Sequence, residues 1–557
     1  MNVLAPLDYA IFLFYFLMVS VYGYWIYRKK RKSAVAATHD YFLAEGSLTW
    51  WAIGASLIAS NISAEQFIGM SGSGFKMGLA IASYEWMSAL TLILVAVFFI
   101  PVYLKNKILT MPQFLKQRYS GTVSMIMAVF WLLLYIVVNL TSILYLGALA
   151  INSISGFSVN TCMYGLAIFA ILITLGGMKV IGYTDVVQVF FLILGGLATA
   201  FLALHLVGSH FGVSGLEKSF LLMTEKANDH FHMILKKDNS NYIDLPGLSV
   251  LIGGMWIANL NYWGCNQYIT QRALGADLKT ARSGILFAAF LKLLMPVIVV
   301  LPGIAAFVLY KDGVFQHSMS QGGEVNPDRA YPVMINLLPA GLKGLSFAAL
   351  TAAIVASLAG KANSIATIFA LDIYKKIIHK TANEKNIVLT GKLTVIMSVG
   401  IAILIAPHLG IDQKGGFQYI QEYSGFVSPG ILAMFLLGFF WKKTTSNAAL
   451  FATLGGFLMS IFLKIVPKWF SLQALHSYGF SVQNAQGVYE IPFMDRMALV
   501  FAICILMMIV ISKVENRSGI KSNGLAIDKK MFVVGNGFLA GALIIAGILV
   551  AIYSVFW

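Results

Sequence analysis

The feature that most constrains this chain is repetition. Roughly fourteen apolar stretches follow one another, each near the ~20 residues that a helix needs to cross ~30 Å of hydrocarbon. A water-soluble fold cannot bury so much apolar material: 59% of the 557 residues are hydrophobic and 11% are charged, against roughly 45–50% and about 25% in ordinary globular chains. Alternating segments of about ten residues, the mark of a membrane barrel, are absent, so the spans are helical. The expectation is an all-α membrane protein with about 14 transmembrane helices. A soluble enzyme and a disulfide-stapled secreted scaffold are excluded. Cys162, Cys265 and Cys504 lie far apart in apolar stretches and read as packing residues.

A formal charge of +16 raises the question of nucleic acid, so the placement of the basic residues matters more than their number. Most of the 39 fall on alternate connections: Arg28 to Lys32, Lys105 to Arg118, Arg272 to Arg282, Lys375 to Lys392, Lys442 and Lys443, and Lys513 to Lys530. The positive-inside rule makes that face cytoplasmic and, with an even number of spans, puts both termini outside. The charge is a topology signal and no nucleic-acid partner is expected. Met1 to Pro6 carry no basic n-region and no cleavage site precedes Arg28, so the first span reads as an uncleaved helix of a multi-pass plasma (inner) membrane protein.

Two spans carry polar groups where lipid-facing helices have none. Ser60-Asn61-Ile62-Ser63-Ala64-Glu65-Gln66 interrupts the second, and Asn259, Asn261, Asn266 and Gln267 surround Tyr262, Trp263 and Gly264 in the seventh. Both read as helices unwound near the midplane, where freed carbonyls can ligate a cation. Aligning Asn61 with Asn259 superposes the two interruptions five spans apart, the trace expected of an inverted five-plus-five repeat. Glu65, Glu85, Asp185, Lys292, Lys361 and Glu422 are ionisable residues inside apolar spans. Such residues are costly in a membrane and mark functional positions, so together they suggest a water-filled pathway. Carboxylates, amides, Lys292 and aromatic rings form the set that a neutral polyhydroxylated solute would use.

Several strings of residues resemble the sodium:solute symporter family, most nearly its bacterial sodium/galactose (glucose) members. They are Asn61-Ile-Ser-Ala-Glu-Gln-Phe-Ile-Gly-Met-Ser-Gly-Ser-Gly74, Ile81-Ala-Ser-Tyr-Glu-Trp-Met-Ser88, Thr184-Asp185-Val-Val-Gln188, Phe417-Gln-Tyr-Ile-Gln-Glu-Tyr423 and Trp441-Lys-Lys-Thr-Thr-Ser446. The resemblance implies the inverted-repeat fold of the leucine-transporter type. Residues 1–47 would be an extra helix and a basic cytoplasmic loop, 48–245 the first repeat with its outer loop, 246–443 the second repeat, and 444–557 three peripheral helices. It implies a secondary active transporter that imports galactose or glucose by alternating access, with the lipid bilayer and a small sugar as its partners. The implied sugar-binding positions are Gln66, Glu85, Ser88, Asn259, Lys292 and Gln421. The implied gates are Met70, Tyr84 and Phe417 outside and Tyr262, followed by Trp263, inside.

The implied sodium ligands are the carbonyls of Ala59, Ile62 and Ala353 and the hydroxyl of Ser357. Ala356 stands where the family pattern has a second hydroxyl, and Lys361 lies one turn beyond Ser357. Three readings of Lys361 stay open: it pairs with Asp185 across the exit path, it weakens sodium binding, or it replaces the ion and makes the carrier proton-coupled or ion-independent. A non-transporting sugar sensor on the same fold is a further alternative. No Ser/His/Asp or metal-ligand constellation accompanies the scattered histidines, so enzymatic chemistry is not expected.

Overall fold

The structure is a computed structural model and describes residues 4–28, 41–42, 48–321, 323–408, 416–484, 486–520 and 522–557. Ten of its helices are long and apolar enough to cross a membrane, and the pair Phe417–Gly425 and Ser428–Phe440, bent by 50°, would make an eleventh crossing. The expected fourteen is therefore not reproduced by length and apolarity alone. The shortfall falls on three places: Val159–Leu175 has 17 residues, and the second and seventh stretches are broken. The first break follows Trp50–Asn61, where Ile62 is extended, and the second follows the π-helical turn Asn261–Cys265, where Asn266 is extended. The breaks are thus not at the equivalent positions that aligning Asn61 with Asn259 assumes.

Packing divides the described residues into two compact units, each assembled from three stretches of chain and neither corresponding to one half of the sequence. The first gathers Met1–Ala82, Ala128–His232 and Gln271–Ile420. Its centre is the helix Met178–His210 packed along Leu342–Ile368, with Leu278–Lys311 and Trp50–Asn61 against them. The backbones approach closely because small residues face each other. A Cβ on Gly195 would lie 2.7 Å from the Cβ of Ala349 and 2.9 Å from the carbonyl oxygen of Leu345. The helix Pro6–Arg28 is tied to this centre at its first turn. The Asp8 carboxylate accepts the backbone N–H groups of Gly341 at 2.7 Å and Gly344 at 2.8 Å, satisfying amides that the start of Leu342–Ile368 cannot bond within its own helix.

The second unit gathers Ser83–Met127, Met233–Thr270 and Gln421–Trp557. Here Phe493–Arg517 packs on Ser428–Phe440 and on Gly254–Leu260. The rings of Phe99, Tyr103, Phe114, Phe435 and Phe439 interlock at centroid separations of 4.6 to 5.9 Å. Fully buried Arg118 closes the end of Ser428–Phe440 by donating to the carbonyls of Gly438 at 2.7 Å, Trp441 at 2.9 Å and Thr444 at 3.0 Å. That cap gives the Trp441 to Ser446 string a structural role.

Asp8→Ala should destabilise the protein by about 1 to 2 kcal/mol, the usual worth of a lost helix cap. Asp8→Asn should recover part of the loss, as read from the apparent melting temperature of the detergent-purified protein.

Candidate functional site

The break after Asn61 has a local cause in the sequence. Ser63-Ala64-Glu65-Gln66 is a capping box, the pattern that starts a helix, set within an apolar span. The Ser63 N–H donates to Gln66 Oε1 at 2.9 Å, the Glu65 N–H donates to Ser63 Oγ at 3.2 Å, and the Gln66 N–H donates to the Ser63 carbonyl at 3.1 Å. In an unbroken helix the Ser63 amide would bond the carbonyl of Ala59, and the Gln66 amide that of Ile62. Both amides are engaged elsewhere, which releases the two carbonyls expected to face a cation. A new π-helical turn, Glu65–Met70, then begins.

The helix Leu342–Ile368 lies against this break. Its Ser357 hydroxyl donates to the Ser60 carbonyl at 2.9 Å, and Ala59, Ile62, Ala353 and Ser357 are all fully buried in the first unit. The structure therefore brings the Ser357 side chain to the broken segment, with lone pairs left on its oxygen.

Charged side chains surround that contact. Asp185 accepts the Ser56 hydroxyl at 2.5 Å, the same hydroxyl accepts Arg272 Nε at 2.7 Å, and Arg272 Nη2 lies 3.9 Å from Asp185. Gly360 leaves room for the guanidinium, because a Cβ there would collide with Arg272 Nη2. Lys361 Nζ lies 3.9 Å from Glu65 Oε1. Of the three readings of Lys361, the pairing with Asp185 is not the one seen: Ser56 and Arg272 meet Asp185 at Oδ2, and Lys361 lies beside Glu65, the acid that follows the break. Buried Lys292 donates to Asn61 Oδ1. Arg272 with Asp185 and Lys361 with Glu65 thus form two buried charge pairs, an arrangement that is stable in a low-dielectric interior only through such pairing. Arg272 was not singled out from the sequence, since it falls beside a basic connection and reads as a topology charge.

The other residues expected at the sugar site divide between the units. Gln66 and Lys292 belong to the first, and Glu85, Ser88, Asn259 and Gln421 to the second. Within the second, Ser88 Oγ is 2.6 Å from the Asn259 side-chain oxygen position and 2.7 Å from the Tyr84 carbonyl. One hydroxyl proton cannot serve two acceptors, so the consistent arrangement has Ser88 donating to Tyr84 and the Asn259 amide turned to donate to Ser88. Of the expected gates, Met70 and Phe417 are buried in the first unit. Tyr84, Tyr262 and Trp263 lie in the second, where the Tyr262 ring packs edge-on to Trp263 and Tyr268 at centroid distances of 5.1 and 5.6 Å. Glu422 departs from the expectation of a pathway residue. Lys464 and Arg496 each hold it at 2.6 Å, and Lys464 reaches Glu490 at 3.7 Å, which makes it a staple among helix ends.

The sequence profile of the sodium:solute symporter family matches residues 41–456. A sodium/glucose cotransporter of Vibrio parahaemolyticus is 46% identical over 100% of this chain and 99% of its own length. A human sodium/myo-inositol cotransporter 2 is 34% identical over 82% of this chain and 70% of its own. In fold, the chain is similar to a sodium-coupled sialic acid symporter solved in a substrate-bound outward-open state, with a TM-score of 0.74, 21% identity, and coverage of 92% of this chain and 98% of that one. A profile match over most of the chain, with a full-length relative at 46% identity, leads to one conclusion: the chain belongs to the sodium:solute symporter family.

Proposed function

We propose that the protein imports a hexose, galactose or glucose, into the cell by alternating access, driven by sodium. The observation that carries the reading is the break at Ile62, where the capping box diverts the helical partners of the Ala59 and Ile62 carbonyls opposite the Ser357 hydroxyl. Carbonyl and hydroxyl oxygens suit a hard monovalent cation, and unwound backbone lining a cavity is the usual way a transporter supplies them. These four residues are the proposed sodium ligands. The full-length likeness to a sodium/glucose cotransporter supports the solute class. Gln66, Glu85, Ser88, Asn259, Lys292 and Gln421 are the proposed sugar contacts, with Met70, Tyr84 and Phe417 closing outside and Tyr262 with Trp263 closing inside. In this reading the broken second and seventh stretches and Val159–Leu175 also cross, making about 14 helices in an inverted five-plus-five arrangement. The protein resides in the plasma membrane with its basic connections in the cytoplasm and both termini outside.

A second reading rests on Lys361. Its ammonium lies beside Glu65, one turn along the helix from Ser357, and a fixed cation there competes with a mobile one. Carried to completion, that competition gives a proton-coupled or ion-independent sugar carrier.

Uptake of labelled galactose and glucose into proteoliposomes separates the two. An inward sodium gradient should drive accumulation, and one charge moved through ~100 mV supports roughly 50-fold. Equal rates under sodium and potassium would establish the second reading, with acceleration by an imposed proton gradient marking proton coupling and its lack of effect marking an ion-independent carrier. Gln421→Ala and Glu85→Ala should each abolish uptake while leaving the protein in the membrane; wild-type rates in either would refute the sugar assignment. Gln66→Leu returns the Ser63 amide to Ala59 and should raise the half-saturating sodium concentration by about tenfold or more, ~1.4 kcal/mol. Lys361→Met should lower it by a similar factor, with Glu65→Gln/Lys361→Met in between because the facing carboxylate is then also neutral.

A further inference from the structure

We propose that a groove on the first unit, where four helix ends meet, is a binding site for an anionic phospholipid of the surrounding bilayer. The groove has a volume of about 340 Å³, and its walls come from Pro6–Arg28, Val159–Leu175, Met178–His210 and the start of Glu384–Ile405. Its lining includes Ser20, Tyr24, Tyr27, Leu172, Gly176 and Lys392. Tyr24, Tyr27 and Leu172 are largely exposed, so the groove opens outward and not toward the centre of the unit.

Its level in the bilayer follows from the aromatic residues around it. Tyr22 stacks on Trp25 with centroids 6.0 Å apart near the end of Pro6–Arg28, and Tyr183, near the start of Met178–His210, packs edge-on at 6.2 Å to Trp51 at the start of the neighbouring helix Trp50–Asn61. Such belts sit at the depth of lipid headgroups. The apolar wall at Leu172 then faces acyl chains, and the Lys392 end faces phosphate.

The preference for an anion follows from charge. Among the described residues, Lys392 is the one charged residue in the lining, and no carboxylate lines the groove. The guanidinium of Arg28, the last residue of the first helix, lies 5.7 Å over the ring of Tyr24 at its rim. The amino end of Met178–His210 begins between lining residues Gly176 and Val180 and adds its own partial positive charge. The following segment of chain, Lys29-Lys30-Arg31-Lys32, has the same sign, which disfavours it as the occupant. Basic pockets between membrane helices at headgroup depth recruit acidic lipids in this way. The inference rests on the basic connections marking a membrane–water boundary, and it is independent of which solute or ion is carried.

The test is native mass spectrometry of the purified full-length protein released from vesicles containing phosphatidylcholine and phosphatidylglycerol. Wild type should retain phosphatidylglycerol in preference. Lys392→Gln should weaken that retention by about fivefold, the equivalent of ~1 kcal/mol for one basic group at the surface, and Lys392→Arg should keep it. Leu172→Trp fills the groove from its exposed side, leaves every charge in place and should exclude the lipid. Equal retention of the two lipids by wild type, or undiminished phosphatidylglycerol in both Lys392→Gln and Leu172→Trp, would overturn the proposal.

Discussion

The hydrogen bond from the Ser63 amide to the Gln66 side chain is the contact on which the candidate ion site depends. A membrane interior punishes any unsatisfied backbone group, so a helix cannot simply stop there. The capping box resolves this by satisfying the new helix start with side chains, and the Ala59 and Ile62 carbonyls are left without their helical partners. The polar residues of this segment are therefore first a backbone device. Their reach toward a solute is secondary to the geometry they impose.

The buried charges near the break show the same economy. Asp185, Ser56 and Arg272 share one hydroxyl between two charged groups, and Glu65 with Lys361 forms a second pair nearby. Removing one partner from such a pair leaves a charge in hydrocarbon-like surroundings, at a cost of several kcal/mol. An exchangeable cation entering this region meets a field already set by resident ones. In the proposed function Lys361 bears on ion choice for that reason, although it is not itself among the proposed ligands.

The sequence made the membrane class, the helical nature of the spans and both interruptions legible, because apolar length and misplaced amides are local signals. The unwinding at Ser60 to Gln66 is legible from its polar residues, whereas the S-x-x-Q box at Ser63 that produces it is not singled out, since polar residues in a membrane suggest ligands before caps. Partners distant in sequence were not legible. Nothing near Asp185 announces Arg272, and nothing near Glu422 announces Lys464 and Arg496, because those pairings are made by packing between helices far apart along the chain. The fourteen stretches counted along the chain exceed the ten or eleven helices long and apolar enough to cross among the described residues, in part because the second and seventh are broken at Ile62 and Asn266.

The Asp8 contact has a mechanical consequence. Two hydrogen bonds to one carboxylate join the first turn of the outer helix Pro6–Arg28 to the first turn of Leu342–Ile368, the helix that carries Ser357 and Lys361. Two rods hinged at one end share their displacements there and are free to diverge at the other. A displacement of the Gly341 to Gly344 end of the inner rod is thus shared by Asp8 and the first turn of the outer one, while the opposite end of the outer helix, with Tyr24, Tyr27 and Arg28 exposed, is not bound to that motion by this joint.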